Sequence, residues 1–243
     1  MKIILVILTP FLINSASYAM VKETSLELGA IYEKGGEWDK AIENYKSFLI
    51  KNFNHPDSLI LGTFKLGRAL MVIGKEKEGN EKLKEVSTLY NRYKNLIDPF
   101  YAEYIANAKF ILNEPLFTTA TSPYKNKNVA LDNFIKTREE ALNLMKAGYD
   151  EIIKLHVKEW TMASLYKIGL AYEITGNAIL NAPLPEESTN IKREEFYLNL
   201  RNKGLPFEDR ATTFYKEVID LNKKLDTGKA LAQLAAQRLE NLK

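Results

Sequence analysis

Lys65 and Lys167 occupy equivalent positions in two stretches that echo one another, and Arg68 lies one turn from the face that carries Lys65. Cations placed in this way could hold a carboxylate or an acidic peptide through charge-assisted hydrogen bonds. The plainer alternative is a solvated helix face, the default for charged residues. Other residue types offer less. His55 and His156 are far apart, and neither has a metal-ligating partner at helical spacing, so no metal site is expected. Glu139-Glu140, Glu186-Glu187 and Glu194-Glu195 are adjacent pairs. Neighbours on a helix point in different directions, which makes them poor acid–base dyads. Gly35-Gly36 reads as a helix–helix turn rather than a phosphate loop, because no strand precedes it and no Gly-Lys-Ser/Thr follows. The chain has no cysteine, which excludes disulfides, thiolate metal sites, cysteine nucleophiles and lipoprotein acylation. The expectation is a non-enzyme with no catalytic residues and no cofactor.

The elements that must position these cations are helices. The 243 residues are 46% hydrophobic, enough for a buried core and inconsistent with disorder. The 34 basic and 31 acidic residues nearly balance, leaving a formal charge of +3. A dedicated nucleic-acid binder concentrates basic residues on one face, so nucleic acid is not an expected partner.

The first nineteen residues read as a secretory signal. Lys2 is a minimal charged segment, Ile3 to Ile13 is apolar apart from Thr9 and Pro10, and Ser17-Tyr18-Ala19 offers small residues at the cleavage positions. The run is shorter than the ~20 apolar residues that span a bilayer. Cleavage after Ala19 would leave an exported, periplasmic or secreted protein that does not span the membrane; the alternative is a retained N-terminal anchor.

After the signal, the apolar residues recur with helical period. Leu28-Gly29, Tyr32, Gly36, Ala41 and Tyr45 mark a first helix pair over about 22–55. Gly29 and Ala41 are small where two helices would cross closely, and Leu28, Tyr32 and Tyr45 fill the space around the crossing. A second pair over 60–93 has Leu66-Gly67, Leu70, Gly74, Gly79 and Leu83 at the matching positions. His55-Pro56-Asp57 is the expected turn between them, with Asp57 as a cap for the next helix. A third unit over 99–157 opens with Asp98 as N-cap and Pro99 at the first helical position. Its first helix is expected to end near Asn113, with Glu114 to Asn128 as a turn-rich insertion. A fourth unit over 162–225 has Ile168-Gly169, Tyr172 and Gly176, but its alanine and aromatic come late, at Ala211 and Tyr215. The expected insert carries Asn181 to Pro185, a short helix around Arg193 to Arg201, and a break at Gly204-Leu205-Pro206. A last helix over 227–243 is expected to cap the stack. Trp38 and Trp160 fall at unit junctions as core residues.

This pattern resembles the tetratricopeptide repeat (TPR) superfamily, whose 34-residue unit carries a Leu-Gly pair, an aromatic, an alanine and a second aromatic at these offsets. The fold expectation is therefore all-α: a TPR-like α-solenoid of three to four helix pairs with insertions. The C-terminal half also resembles the large periplasmic TPR proteins of gliding and predatory deltaproteobacteria, through Phe110 to Phe117, Trp160 to Glu173, Leu180 to Pro185 and Pro206 to Tyr215. That likeness implies an envelope scaffold, although this chain is short for the group. In the superfamily the first helix of each pair lines a concave groove. Carried onto this sequence, the groove positions are Glu27 and Ala30, then Phe64, Lys65, Arg68 and Met71, then Tyr104, Asn107 and Phe110, and finally Tyr166, Lys167, Leu170 and Glu173. The family's carboxylate clamp of Lys and Asn in adjacent repeats is not reproduced. The implied partner is a protein or peptide. A second reading, a cell-wall enzyme or glycan-binding accessory with the solenoid as substrate guide, rests on Glu187-Ser188, which resembles the Glu-Ser pair of lytic transglycosylases without the flanking sequence.

Overall fold

The computed structural model describes residues 24–124, 131–184 and 190–242. The expected leader and Glu187 lie outside the described residues. Among the described residues the helices are α1 (Thr24–Lys34), α2 (Trp38–Lys51), α3 (Pro56–Val72), α4 (Glu76–Tyr93), α5 (Ala102–Ala120), α6 (Leu131–Ile153), α7 (Lys158–Leu180), α8 (Asn190–Leu225) and α9 (Lys229–Asn241), with a 3₁₀ turn over Pro99–Tyr101 before α5. There is no strand among them. Helices pack as adjacent pairs, α1 with α2, α3 with α4, α5 with α6 and α7 with α8, and α9 closes on α7 and α8. The chain is an all-α, TPR-like solenoid.

The sequence explains the pairs. In α2 the buried residues Ala41, Tyr45 and Phe48 lie three and four apart, one face of a helix. That face meets Gly29 so closely that a Cβ there would stand 2.5 Å from the Tyr45 ring. The same crossing recurs where a Cβ on Gly169 would reach Tyr215 at 3.0 Å, and one on Gly67 would reach Leu83 at 3.1 Å. The first two pairs turn through glycine in the left-handed region, Gly36 at φ 74° and Gly74 at φ 80°. Each turn is closed by two backbone bonds, Glu37 N–H to the Tyr32 carbonyl (2.9 Å) and Gly36 N–H to Glu33, then Lys75 N–H to Leu70 (3.0 Å) and Gly74 N–H to Met71. This pairing is a Schellman motif, and a Cβ would strain it.

Three expectations need correction. Asp57 does not cap its own helix: its carboxylate accepts the backbone N–H of Asp98 at 3.1 Å, tying the start of α3 to the turn before α5. Asp98 caps as expected, accepting from Phe100 N–H at 2.8 Å. The helix expected to stop near Asn113 runs through Pro115 to Ala120. Thr118 and Thr119 hydroxyls fold back onto the carbonyls of Glu114 (3.0 Å) and Pro115 (2.9 Å), so the threonines decorate the helix instead of ending it. The C-terminal carbonyls of α5 then receive the buried guanidinium of Arg138, which donates to Thr119 (3.2 Å), Ala120 and Ser122. A cation at a helix C-terminus is favoured by the aligned peptide dipoles. In the fourth unit the expected short helix and Gly-Leu-Pro break are one continuous helix, α8, with Pro206 inside it. Gly176 is not a turn residue there: it lies within α7, where a Cβ would meet Glu208 at 3.0 Å. A Cβ on Gly204 would meet Leu180 at 2.6 Å in the same sense. Two glycines keep α7 and α8 close for extra turns, and the residues expected as a short helix and a break lengthen α8, while Asn181 to Leu184 are not helical, as the expected turn there requires.

Three buried clusters follow the pairs. Ala41, Ile42, Tyr45, Leu66, Ala69 and Leu70 join α2 to α3. Ile60, Phe64, Leu83, Val86, Leu89, Ile105 and Ala108 join α3, α4 and α5. The largest spans α5 to α9.

The candidate binding face

Of the groove residues expected from sequence, Glu27 and Ala30 lie on α1; the others lie on α3, α5 and α7, which touch one another in succession, and α7 touches α9. The structure therefore brings them into one row. It also puts two of them beneath the surface. Phe64 is buried and packs on Tyr104 with ring centroids 5.4 Å apart, and Glu173 is buried as well. Lys65, Arg68, Met71, Tyr104, Asn107, Phe110, Tyr166, Lys167 and Leu170 are half-buried.

The cations are already occupied. Lys65 Nζ stands 3.2 Å from Glu33 Oε2, and Arg68 Nη1 is 3.8 Å from Glu33 Oε1. Lys167 Nζ is 2.9 Å from Glu114, and Arg238 Nη1 on α9 is 2.9 Å from Glu173. Each of these carboxylates also accepts from a buried tyrosine on the second helix of its own pair: Tyr45 to Glu33 (2.5 Å), Tyr149 to Glu114 (3.5 Å) and Tyr215 to Glu173 (2.5 Å). A tyrosine, a glutamate and a cation thus recur three times. The tyrosine and glutamate tie the two helices of one pair, and the cation comes from the next first helix in the row.

Spacing makes the repetition intelligible. Glu33 and Glu173 stand four residues after the crossing glycines Gly29 and Gly169. Lys65 and Lys167 stand two before Gly67 and Gly169. The second pair has Met71 at the glutamate position and Leu83 at the tyrosine position, so both members turn apolar together. Met71 packs over Gly79, where a Cβ would lie 2.7 Å from it. In α5 the position matching Lys65 is Ala108, which is buried and has no carboxylate to meet.

Electrostatics follow the geometry. Burial pushes Glu33 up, but the Tyr45 hydroxyl, Lys65 and Arg68 together outweigh it and hold the carboxyl below its ordinary value. Tyr45, Tyr149 and Tyr215 are pushed well above the ordinary phenol value, chiefly by burial and then by the facing glutamate. Arg238 is raised: burial lowers it, and its bond to Glu173 more than compensates. Lys167 Nζ also lies 4.0 Å from the Phe117 ring centroid, a cation–π contact that further fixes its position.

Glu33, Glu114 and the three tyrosine hydroxyls were missed from the sequence as polar partners. Tyr45 and Tyr215 read as core aromatics, and the signal that could have found their second role is the glutamate four residues past each crossing glycine. A shallow hollow of about 210 Å³ lies elsewhere, between α5 and α6, lined by Leu116, Thr119, Thr137, Glu140, Ala141 and Leu144. Among the described residues no three His, Asp or Glu side chains are grouped to hold a metal, and no helix is long and apolar enough to cross a membrane.

No family model matches the chain, and no curated protein matches it. Among solved structures it is similar to a TPR repeats protein from Bacteroides fragilis, at 16% identity over 90% of this chain and 98% of that one, with a TM-score of 0.33. The pairing of the helices and their small-residue crossings are what make this chain TPR-like.

Proposed function

We propose that the protein is an exported, non-catalytic scaffold of the bacterial cell envelope, holding a protein or peptide partner along the row of first helices. The observation that supports this is the row itself. Half-buried Met71, Tyr104, Asn107, Tyr166 and Leu170 present apolar and amide groups on a framework held by three tyrosine–glutamate–cation sets. Because Lys65, Arg68 and Lys167 neutralise internal carboxylates, the partner's main anchor would be apolar or aromatic contact rather than a carboxylate clamp. An acidic peptide would have to displace Glu33 or Glu114. Export rests on the charged, apolar and small-residue order of the first nineteen residues.

The test is site-specific photo-crosslinking in the native host. A crosslinker at Asn107 or Leu170 should capture the same envelope protein, and one at exposed Glu81 on α4 should not. Equal capture from all three positions, or none, would remove the row from consideration. Mass spectrometry of the native protein should find an N-terminus within a residue or two of Met20; an intact Met1 in a soluble cytoplasmic fraction would defeat the export proposal.

A further inference from the structure

We infer that α1 carries a stacking face that pairs, antiparallel, with α1 of a second copy of this chain. The inference starts from equivalent positions. Leu66 and Ile168 immediately precede crossing glycines, Ala69 and Ala171 follow two residues after, and all four are at most 3% exposed. Leu66 and Ala69 cluster with α2 residues of the pair before, and Ile168 and Ala171 share a core cluster with Leu142, Met145 and Tyr149 of α6. The matching residues in α1 are Leu28 and Ile31, which are 43% and 61% exposed. This face is thus of the kind that elsewhere in the chain takes a preceding helix, and an end of a solenoid is normally polar. The other end is more polar: on α9, Lys229, Gln233, Gln237, Glu240 and Asn241 are exposed, with Ala230, Leu234 and Ala236 as the apolar residues among them. Head-to-tail stacking would set the apolar end against a polar one.

Charge selects a second copy in antiparallel register. Glu27 and Lys34 flank the apolar residues on the same stripe of α1, one in its first turn and one in its last. Neither is ion-paired with another described residue. A two-fold axis near Ala30 sets Glu27 of each copy against Lys34 of the other and Leu28 against Ile31, with the helix dipoles opposed. A single helix face buries less than the ~1,200 Å² of a standard stable interface, so the association is weak and concentration-dependent. It uses Glu27 and Ala30 of α1, two of the expected groove positions, and none of those on α3, α5 or α7.

The experiment is sedimentation equilibrium of the protein as its host processes it, at low salt, up to roughly 500 µM. The expected result is a mass rising toward twice that of one chain. Ile31→Asp should abolish the rise, Glu27→Lys or Lys34→Glu alone should weaken association about tenfold or more, and the double exchange should restore it. The chain has no cysteine, so Ile31→Cys should form a disulfide-linked dimer on mild oxidation much faster than Glu43→Cys on α2. A constant single-chain mass would overturn the proposal. So would a dimer indifferent to Ile31→Asp, a double exchange weaker than either single change, or an Ile31→Cys thiol shielded by another part of the chain or another protein.

Discussion

The front of the molecule, α1 to α4, and its rear, α5 to α9, solve the same packing problem at different lengths. In front, a glycine in left-handed backbone ends each first helix, and nothing lies within 4 Å of where its side chain would be. In the rear, the glycine at the corresponding place, Gly176, is inside α7 and pressed against α8. The same residue type ends a helix when it faces solvent and extends a pair when a second glycine, Gly204, waits on the opposite helix. Repeat length is thus set by what the glycine packs against. Polar sets bridge both regions: Glu33 joins α1 to α3, and Glu173 joins α7 to α9.

The largest test of this comparison is in the rear. A Cβ on Gly148 would collide with Asn113, whose amide donates to the Met145 carbonyl at 2.9 Å inside the core. Gly148→Ala should cost about 3 kcal/mol, because it overpacks a rigid contact and strands a buried amide. A chemical denaturation midpoint unchanged from wild type would show that α5 and α6 are not held together there. Next is Glu173→Ala. It leaves the Tyr215 hydroxyl buried without its acceptor, while Arg238 can turn to water, for a cost of about 2–3 kcal/mol. Glu33→Ala should cost less, because its site is more open. Equal losses would mean that the two sets do not differ in burial as the structure has them.

The helices and their crossings were legible because close packing demands small residues at regular offsets, and Gly29, Gly67 and Gly169 announce themselves. The elongation was not legible. Pro115, Pro206 and the threonines of α5 carry turn propensity, and only the tertiary partners, Arg138 on the carbonyls of α5 and Leu180 on Gly204, reveal that the helix continues. The cations of the row were found by position, yet their occupation was hidden, since nothing in the sequence singles out Glu33, and Glu114 falls in the expected insertion; the tyrosines of the second helices show what both carboxylates hold. The apolar residues expected in an insert, Phe196 and Tyr197 among them, turn out to lie on α8 and to divide by face. Phe196 packs on the rear core and Tyr197 is 57% exposed. Phe196→Ser should therefore cost about 1–2 kcal/mol, a melting shift of several degrees for a domain of this size, while Tyr197→Ser should leave melting nearly unchanged. A similar loss from both would mean that the two faces of α8 do not differ in packing as the structure has them.

The smallest effect separates front from rear by acid. Glu33 is held below its ordinary value of 4.5, so its contribution to stability is complete above that pH and is lost as pH falls through the lowered value. Glu208, on α8, has the opposite sign. Burial, then Asp209 and Glu173, push it up, so its charge opposes folding at neutral pH and the opposition is relieved as it protonates. Acidification should weaken the front relative to the rear. Hydrogen exchange followed from pH 6 downward should show α1 losing protection before α7 and α8 do. Glu33→Gln should flatten the loss in α1 without touching the rear, since the amide still accepts from Tyr45 but carries no charge to titrate. Protection falling in parallel along the whole chain, or a loss in α1 that survives Glu33→Gln, would place the acid sensitivity in another group and leave the front and rear as one cooperative unit.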